Sequence, residues 1–113
     1  MLGYDYHPAA EDEYHAAIRY YSGISRELGL SFVREIERAV EKARQFPESQ
    51  KRITGDVRRV LTQRFSYSVV YEVLENKVLI WAIAQASREP GYWLLPASTA
   101  GIDLIDAETA KRF

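Results

Sequence analysis

The sequence predicts an α+β fold: a short N-terminal strand and a two-helix hairpin packed on one face of a small antiparallel sheet of about four strands. Three observations carry this. Apolar residues recur every three or four positions from Ala10 to Phe46. The period changes to two after Val57. The β-rich runs of the second half are joined by short polar turns, which is hairpin grammar and leaves no room for crossover helices.

The first element is Gly3 to His7, where Tyr4 and Tyr6 share a face and Pro8 ends the run, giving a short edge strand. A helix follows. Pro8 suits its first turn, Glu11, Asp12 and Glu13 suit the positive end of its dipole, and Ala10, Tyr14, Ala17, Ile18, Tyr21 and Ile24 form one stripe. Gly23 weakens its end. The second helix carries Leu28, Phe32, Val33, Ile36, Ala39, Val40, Ala43 and Phe46 on one side, capped by Ser31 or starting earlier near Ser25, and closed by Pro47. Its other faces hold Arg34, Glu35, Glu37, Arg38, Glu41, Lys42 and Arg44, which read as solvated. Residues 47–56 read as a loop. VRRVLT is then a strand. Phe65, Tyr67, Val69, Tyr71 and Val73 alternate along the next, Glu75 to Lys77 turn the chain, and VLIWAIA returns it. A second loop follows Pro90. In the polar tail, Ile102, Leu104 and Ile105 could anchor a short helix capped at Thr99 or Asp106. The domain is expected over 1–95, with 96–113 as a tail.

A chain of 113 residues is one domain's worth. With 15 basic and 16 acidic residues it is not basic overall, which argues against gripping nucleic acid along its whole surface. Charge is uneven, however: residues 1–50 carry a net −3, 51–95 a net +3 and 96–113 a net −1. The absence of cysteine removes disulfides, thiolate metal sites and a cysteine nucleophile. The acidic start, MLGYDYHPAAEDE, does not read as a signal peptide, and the apolar run from Val78 to Ala84 is far short of the roughly 20 residues that cross a bilayer. A cytoplasmic setting without membrane attachment is the expectation.

His7 and His15 are the only histidines and have no ligand-spaced partners, so neither a metal site nor a histidine base is expected; no cofactor is implied. The acids at 11–13 lack the contrast of environments that a catalytic carboxylate pair needs. The remaining chemistry is cationic and aromatic: Lys51, Arg52, Arg58, Arg59, Arg64 and Arg88, with Tyr92 and Trp93. Guanidinium groups bind phosphate or carboxylate bidentately, and aromatic rings can stack on bases.

The order of elements, together with Tyr20-Tyr21, Leu28-Gly29, Phe32, Phe46-Pro47, ArgPheSerTyrSerValValTyrGluVal, ValLeuIleTrpAlaIleAla and SerArgGluProGlyTyrTrp, resembles the RelE/ParE superfamily of toxins from bacterial type II toxin–antitoxin pairs. The resemblance runs from about Tyr4 to Trp93. It implies a toxin held inert in a hetero-oligomer by a cognate antitoxin, which lays extended and helical segments over the helical hairpin and sheet. RelE-like members cut mRNA in the ribosome using basic strand residues and a terminal tyrosine or histidine. ParE-like members bind and inhibit DNA gyrase.

Nuclease-type members often carry a basic residue after the tyrosine matched by Tyr67, whereas this chain has Ser68. Of two basic positions on the preceding strand, near Arg59 and Leu61, one remains basic, and Gln85 and Ser87 stand where many members have histidine. Phosphodiester cleavage through the 2′-hydroxyl needs a base, an acid and charge stabilisation, and arginine stays protonated. The expectation is therefore a non-enzymatic ParE-like toxin. Arg58, Arg59, Arg64, Arg88, Tyr92 and Trp93 would touch gyrase, while Phe32, Ile36 and Tyr21 serve as core beside the antitoxin surface. The alternatives are a ribosome-dependent mRNA endonuclease using Arg59, Arg88 and Tyr92, and a degenerate homologue that only binds antitoxin.

Overall fold

The structure, a computed structural model, describes residues 1–85. Seven elements follow one another: β1 (Gly3–Tyr6), α1 (Pro8–Ile24), α2 (Arg26–Gln45), β2 (Lys51–Thr54), β3 (Val57–Leu61), β4 (Tyr67–Leu74) and β5 (Lys77–Gln85). The strands form one sheet in the order β1-β5-β4-β3-β2. The α+β architecture expected from the sequence is present, with two differences in the sheet. It has five strands, because Lys51–Thr54 pairs with β3 across the Gly55–Asp56 turn, where a loop was expected. It is also mixed, because β1 lies parallel to β5. Arg88, Tyr92, Trp93, the loop after Pro90 and the tail with Ile102, Leu104 and Ile105 lie outside the described residues.

Local chemistry explains the helix limits. The His7 imidazole Nδ1 accepts from the Ala9 amide at 3.1 Å, capping α1 just ahead of Pro8. Ser25 settles the open choice of cap for α2: its Oγ accepts from the Leu28 amide at 3.0 Å. The two helices meet closely at Gly29, where a Cβ would stand 2.2 Å from Ser22 Oγ. Between β4 and β5, Glu75 and Asn76 both take positive φ, the geometry of a tight two-residue hairpin turn.

The main core lies between the helices and the near face of the sheet. Phe32, Ile36, Ala39, Val40 and Ala43 of α2 and Ala10 and Ala17 of α1 pack on Val60, Tyr67, Val69, Tyr71, Val78, Ile80 and Ile83. Burying side chains the size of Phe32 and Ile36 stabilises by about 1.5–3 kcal/mol each. Four residues of the expected stripes lie outside it: Ile24 and Phe46 are exposed, and Leu28 and Val33 are half-buried. Glu35, read as solvated, is 6 % exposed instead.

Strand alternation sends the intervening residues to the far face, where Val70, Trp81, Ala82 and Ala84 form a second buried cluster with Ile53, Val57 and Leu79 beside it. A bulge at Trp81 keeps both faces apolar: Val70 pairs with Ala82 and Tyr71 with Ile80, so β5 gains one residue over β4. Beyond the reach of β1, the Ile83 amide donates to Glu13 Oε1 at 3.1 Å, so a side chain of α1 takes over where the parallel strand ends.

Candidate target-binding surface

The four described cations singled out from strands β2 and β3 do not share a surface. Val60 faces the helices, so Arg58, two residues before it, does too, while Arg59 points to the far face. The registers Lys51–Arg59 and Arg52–Arg58 extend this division to β2. Arg58 Nη1 donates to the Gln50 carbonyl at 2.9 Å, and Arg58 lines an open cleft of about 410 Å³ with Pro47, Glu48, Arg52, Asp56 and Val73. Acids in that cleft offset its cations. Arg59 and Lys51, by contrast, sit opposite one another on the far face, and their side chains have no hydrogen-bond or ion-pair partner among the described residues. Like charges held side by side without a counter-ion create a local positive field.

Arg59 pairs across the sheet with Val70, which pairs with Ala82 in turn. Ser68 lies nearby, buried, between Leu61 and Ala84. The far face therefore carries a cationic margin beside a cluster of buried apolar side chains. Toward β1 it carries Trp81, whose indole Nε1 donates to Glu72 Oε1 at 3.2 Å and whose ring stacks on His7 with centroids 5.3 Å apart. His7 is thus absorbed by capping and stacking, and burial holds its imidazole below the usual pKa. His15 is exposed. Among the described residues no group of three potential ligands could hold a metal ion.

Arg64 projects from the β3–β4 loop. The loop is fixed from three sides. Thr62 Oγ1 donates to the Arg64 carbonyl at 2.5 Å and accepts from the Tyr67 amide at 3.0 Å. Phe65, with φ 71°, inserts its ring against Tyr21 and Phe32 at centroid distances of 4.8 and 5.4 Å. The Arg64 amide donates to Glu35 Oε1 at 2.7 Å, and Glu35 Oε2 accepts from Arg38 Nη1 at 2.5 Å. The Arg64 guanidinium rests 5.2 Å from the Phe65 ring. Glu35 is the residue that sequence reasoning placed wrongly. It stands three after Phe32 and four before Ala39, in the middle of the apolar stripe, and an acid there signals a buried acceptor that serves a neighbouring segment.

The described tyrosines with shifted ionisation all move away from neutrality. Burial pushes Tyr67 and Tyr71 up to about 12, reinforced in Tyr67 by Tyr21. Tyr71 Oη donates to the Pro47 carbonyl at 2.5 Å, pinning β4 to the end of α2. These phenols are structural donors.

A small sheet with a helical hairpin on one face is the architecture that the resemblance to the RelE/ParE toxins implies. The family model described as "ParE toxin of type II toxin-antitoxin system, parDE" matches residues 4–90, and the chain belongs to that family. Among solved structures it is similar to the chromosomal ParDE toxin–antitoxin system from P. aeruginosa, at 20% identity and a TM-score of 0.66, covering 77% of this chain and 98% of that one. It is also similar to the isolated E. coli RelE toxin, at 17% identity and a TM-score of 0.56, covering 88% of this chain and 99% of that one. At these identities the likeness is one of fold. No curated protein sequence matches. Membership makes the chain a type II toxin, and the family implies an antitoxin partner. Among the described residues no helix is long and apolar enough to cross a membrane.

Proposed function

We propose that this toxin acts by binding DNA gyrase and inhibiting it, without cutting a substrate, and that a cognate antitoxin holds it inert in the cytoplasm. The observation that carries the reading is the far face of β3–β5. It offers the cations Lys51 and Arg59, whose side chains have no partner among the described residues, and the position after Tyr67 is a buried serine. Cations of this kind suit an acidic protein surface, where they speed association and fix register. Proton transfer at a ribose would need a group that titrates near neutrality. The described tyrosines with shifted ionisation are pushed the other way, and His7 is buried as a cap. Arg88, Tyr92 and Trp93 would add to the contact, whereas Arg64 stands over Phe65 on the helix side. The matching of residues 4–90 to the ParE family supports the same branch.

For the antitoxin, exposed apolar side chains near the tip of the helical hairpin, Tyr20, Ile24 and Leu30, provide contact area that the toxin's own core does not use. A supercoiling assay with purified toxin tests the main reading. Loss of supercoiling at a modest molar excess is expected, and normal supercoiling at large excess overturns it.

The Arg59 guanidinium, without a side-chain partner among the described residues, also suits a phosphate, which favours one second reading, a ribosome-dependent mRNA endonuclease with Arg59 and Arg88 stabilising charge and Tyr92 acting on the 2′-hydroxyl. Primer extension after induction separates the two. Codon-phased cuts select the nuclease, and intact transcripts accompanied by DNA damage select the gyrase inhibitor.

A further inference from the structure

Away from both cationic regions, β1 and α2 enclose a cleft lined by Tyr4, Tyr6, Glu37, Val40 and Glu41, with a volume of about 240 Å³. Its two walls differ in kind. One is aromatic: the Tyr4 and Tyr6 rings meet edge to face at 5.9 Å, and Tyr6 stacks on Tyr14 at 5.7 Å. The other is acidic, with Glu37 and Glu41 on successive turns of α2, an arrangement that costs a helix stability unless cations answer it.

Glu41 is answered from within the chain, because Arg44 Nη1 donates to its Oε1 at 2.6 Å. The same guanidinium lies 4.8 Å from the Tyr4 centroid, and its Nε donates to the Leu2 carbonyl at 2.6 Å. This surface therefore already holds one guanidinium by a ring face, a carboxylate and a carbonyl. Glu37 is exposed and has no ion pair among the described residues. Its charge is felt by the aromatic wall: it helps to raise the ionisation of both Tyr6 and Tyr14, behind the dominant effect of burial.

We propose that this cleft receives an arginine side chain from a partner protein, with Glu37 pairing the guanidinium and the Tyr4 and Tyr6 rings supplying cation–π contact. An aromatic surface alone would accept any apolar group, and a carboxylate alone any solvated cation. The combination selects a planar cation that is weakly hydrated, which is arginine before lysine. The toxin–antitoxin reading makes the antitoxin the natural donor, and the proposal rests on that reading for this identity only. The chemistry of the cleft is tested without it.

The test is an NMR titration of the full chain, following backbone amides with N-acetyl-arginine amide and with its neutral isostere N-acetyl-citrulline amide. Saturable shifts centred on Tyr4, Tyr6, Glu37 and Glu41 are expected, with affinity at least about fivefold weaker for the citrulline probe and for the Glu37→Gln variant. Glu11→Gln, an exposed acid of α1, should leave the titration unchanged. Equal shifts with both probes, insensitivity to Glu37→Gln, or shifts centred elsewhere overturn the proposal.

Discussion

Single residues in this molecule act through what they satisfy more than through what they expose. Glu35 is the sharpest case. It accepts from a loop amide with one oxygen and from Arg38 with the other, while sitting within an apolar stripe. Glu35→Ala should cost about 1–3 kcal/mol in urea unfolding, because the Arg64 amide loses its acceptor; Glu35→Gln, which retains an oxygen, should cost less. Equal losses for the two variants would show that packing, not the hydrogen bond, sets the cost. His7 gives a pH signature. Burial lowers its folded pKa below the usual value of about 6.5, and the cap needs a neutral Nδ1. The unfolded chain therefore binds this proton first as pH falls. The stability His7 contributes is complete above about pH 6.5 and is lost as pH drops below it through the folded pKa. Unfolding free energies measured between pH 7.5 and 5 should decline less steeply in His7→Asn, which keeps a capping oxygen and cannot titrate. An unchanged slope would remove His7 from the acid response.

At the scale of elements, the close approach of α1 and α2 sets the hairpin that carries the core. Alanine at position 29 should gain about 1 kcal/mol of helix propensity. A Cβ there would also meet Ser22 Oγ at 2.2 Å and the Ser22 Cα and Cβ at 3.1 Å, and overpacking of that kind typically costs about 1–3 kcal/mol. Net destabilisation is expected for Gly29→Ala, with partial recovery in the Ser22→Ala, Gly29→Ala double variant; additive effects in that cycle would mean the helices simply move apart. The same elements show how much of the fold could be read in the sequence. Both helices were legible because their stripes are long and their caps are chemical. The β4–β5 hairpin was legible because period two brackets a polar turn. β2 was not, since Lys51–Thr54 has one apolar residue and takes its order from β3. Nor was the parallel seating of β1, which depends on the whole meander returning β5 to the start of the chain. For the surface, residue type pointed to Arg58 and Arg59 alike, and the structure places them on opposite faces of β3. Glu35, and the division of β2 cations between faces, needed the tertiary structure.

The whole molecule is a sheet with two unlike faces, and the two adjacent arginines of β3 report on them separately. Arg58 is tied to the Gln50 carbonyl on the helix side, in a cleft where Glu48 and Asp56 offset its charge. Arg59 stands beside Lys51 and Val70 on the other side, with no side-chain partner among the described residues. A target engaged through the far face should therefore distinguish two residues that a sequence lists side by side. Arg59→Ala is expected to weaken gyrase inhibition by about tenfold or more, the scale of a lost charge contact at an interface, while changing unfolding free energy by less than about 0.5 kcal/mol. Arg58→Ala should do the reverse, costing about 1 kcal/mol through its lost hydrogen bond and leaving inhibition near that of the parent chain. Inhibition curves in a supercoiling assay, with urea unfolding of the same preparations, supply both readouts. If Arg58→Ala abolished inhibition and Arg59→Ala did not, the target would dock on the helix side, and the cationic margin of the far face would have another occupant. Raising salt should shrink the inhibition difference between the parent chain and Arg59→Ala, because a charge contact at a half-buried Arg59 is screened, while the unfolding cost of Arg58→Ala, whose hydrogen bond is internal to the fold, should persist.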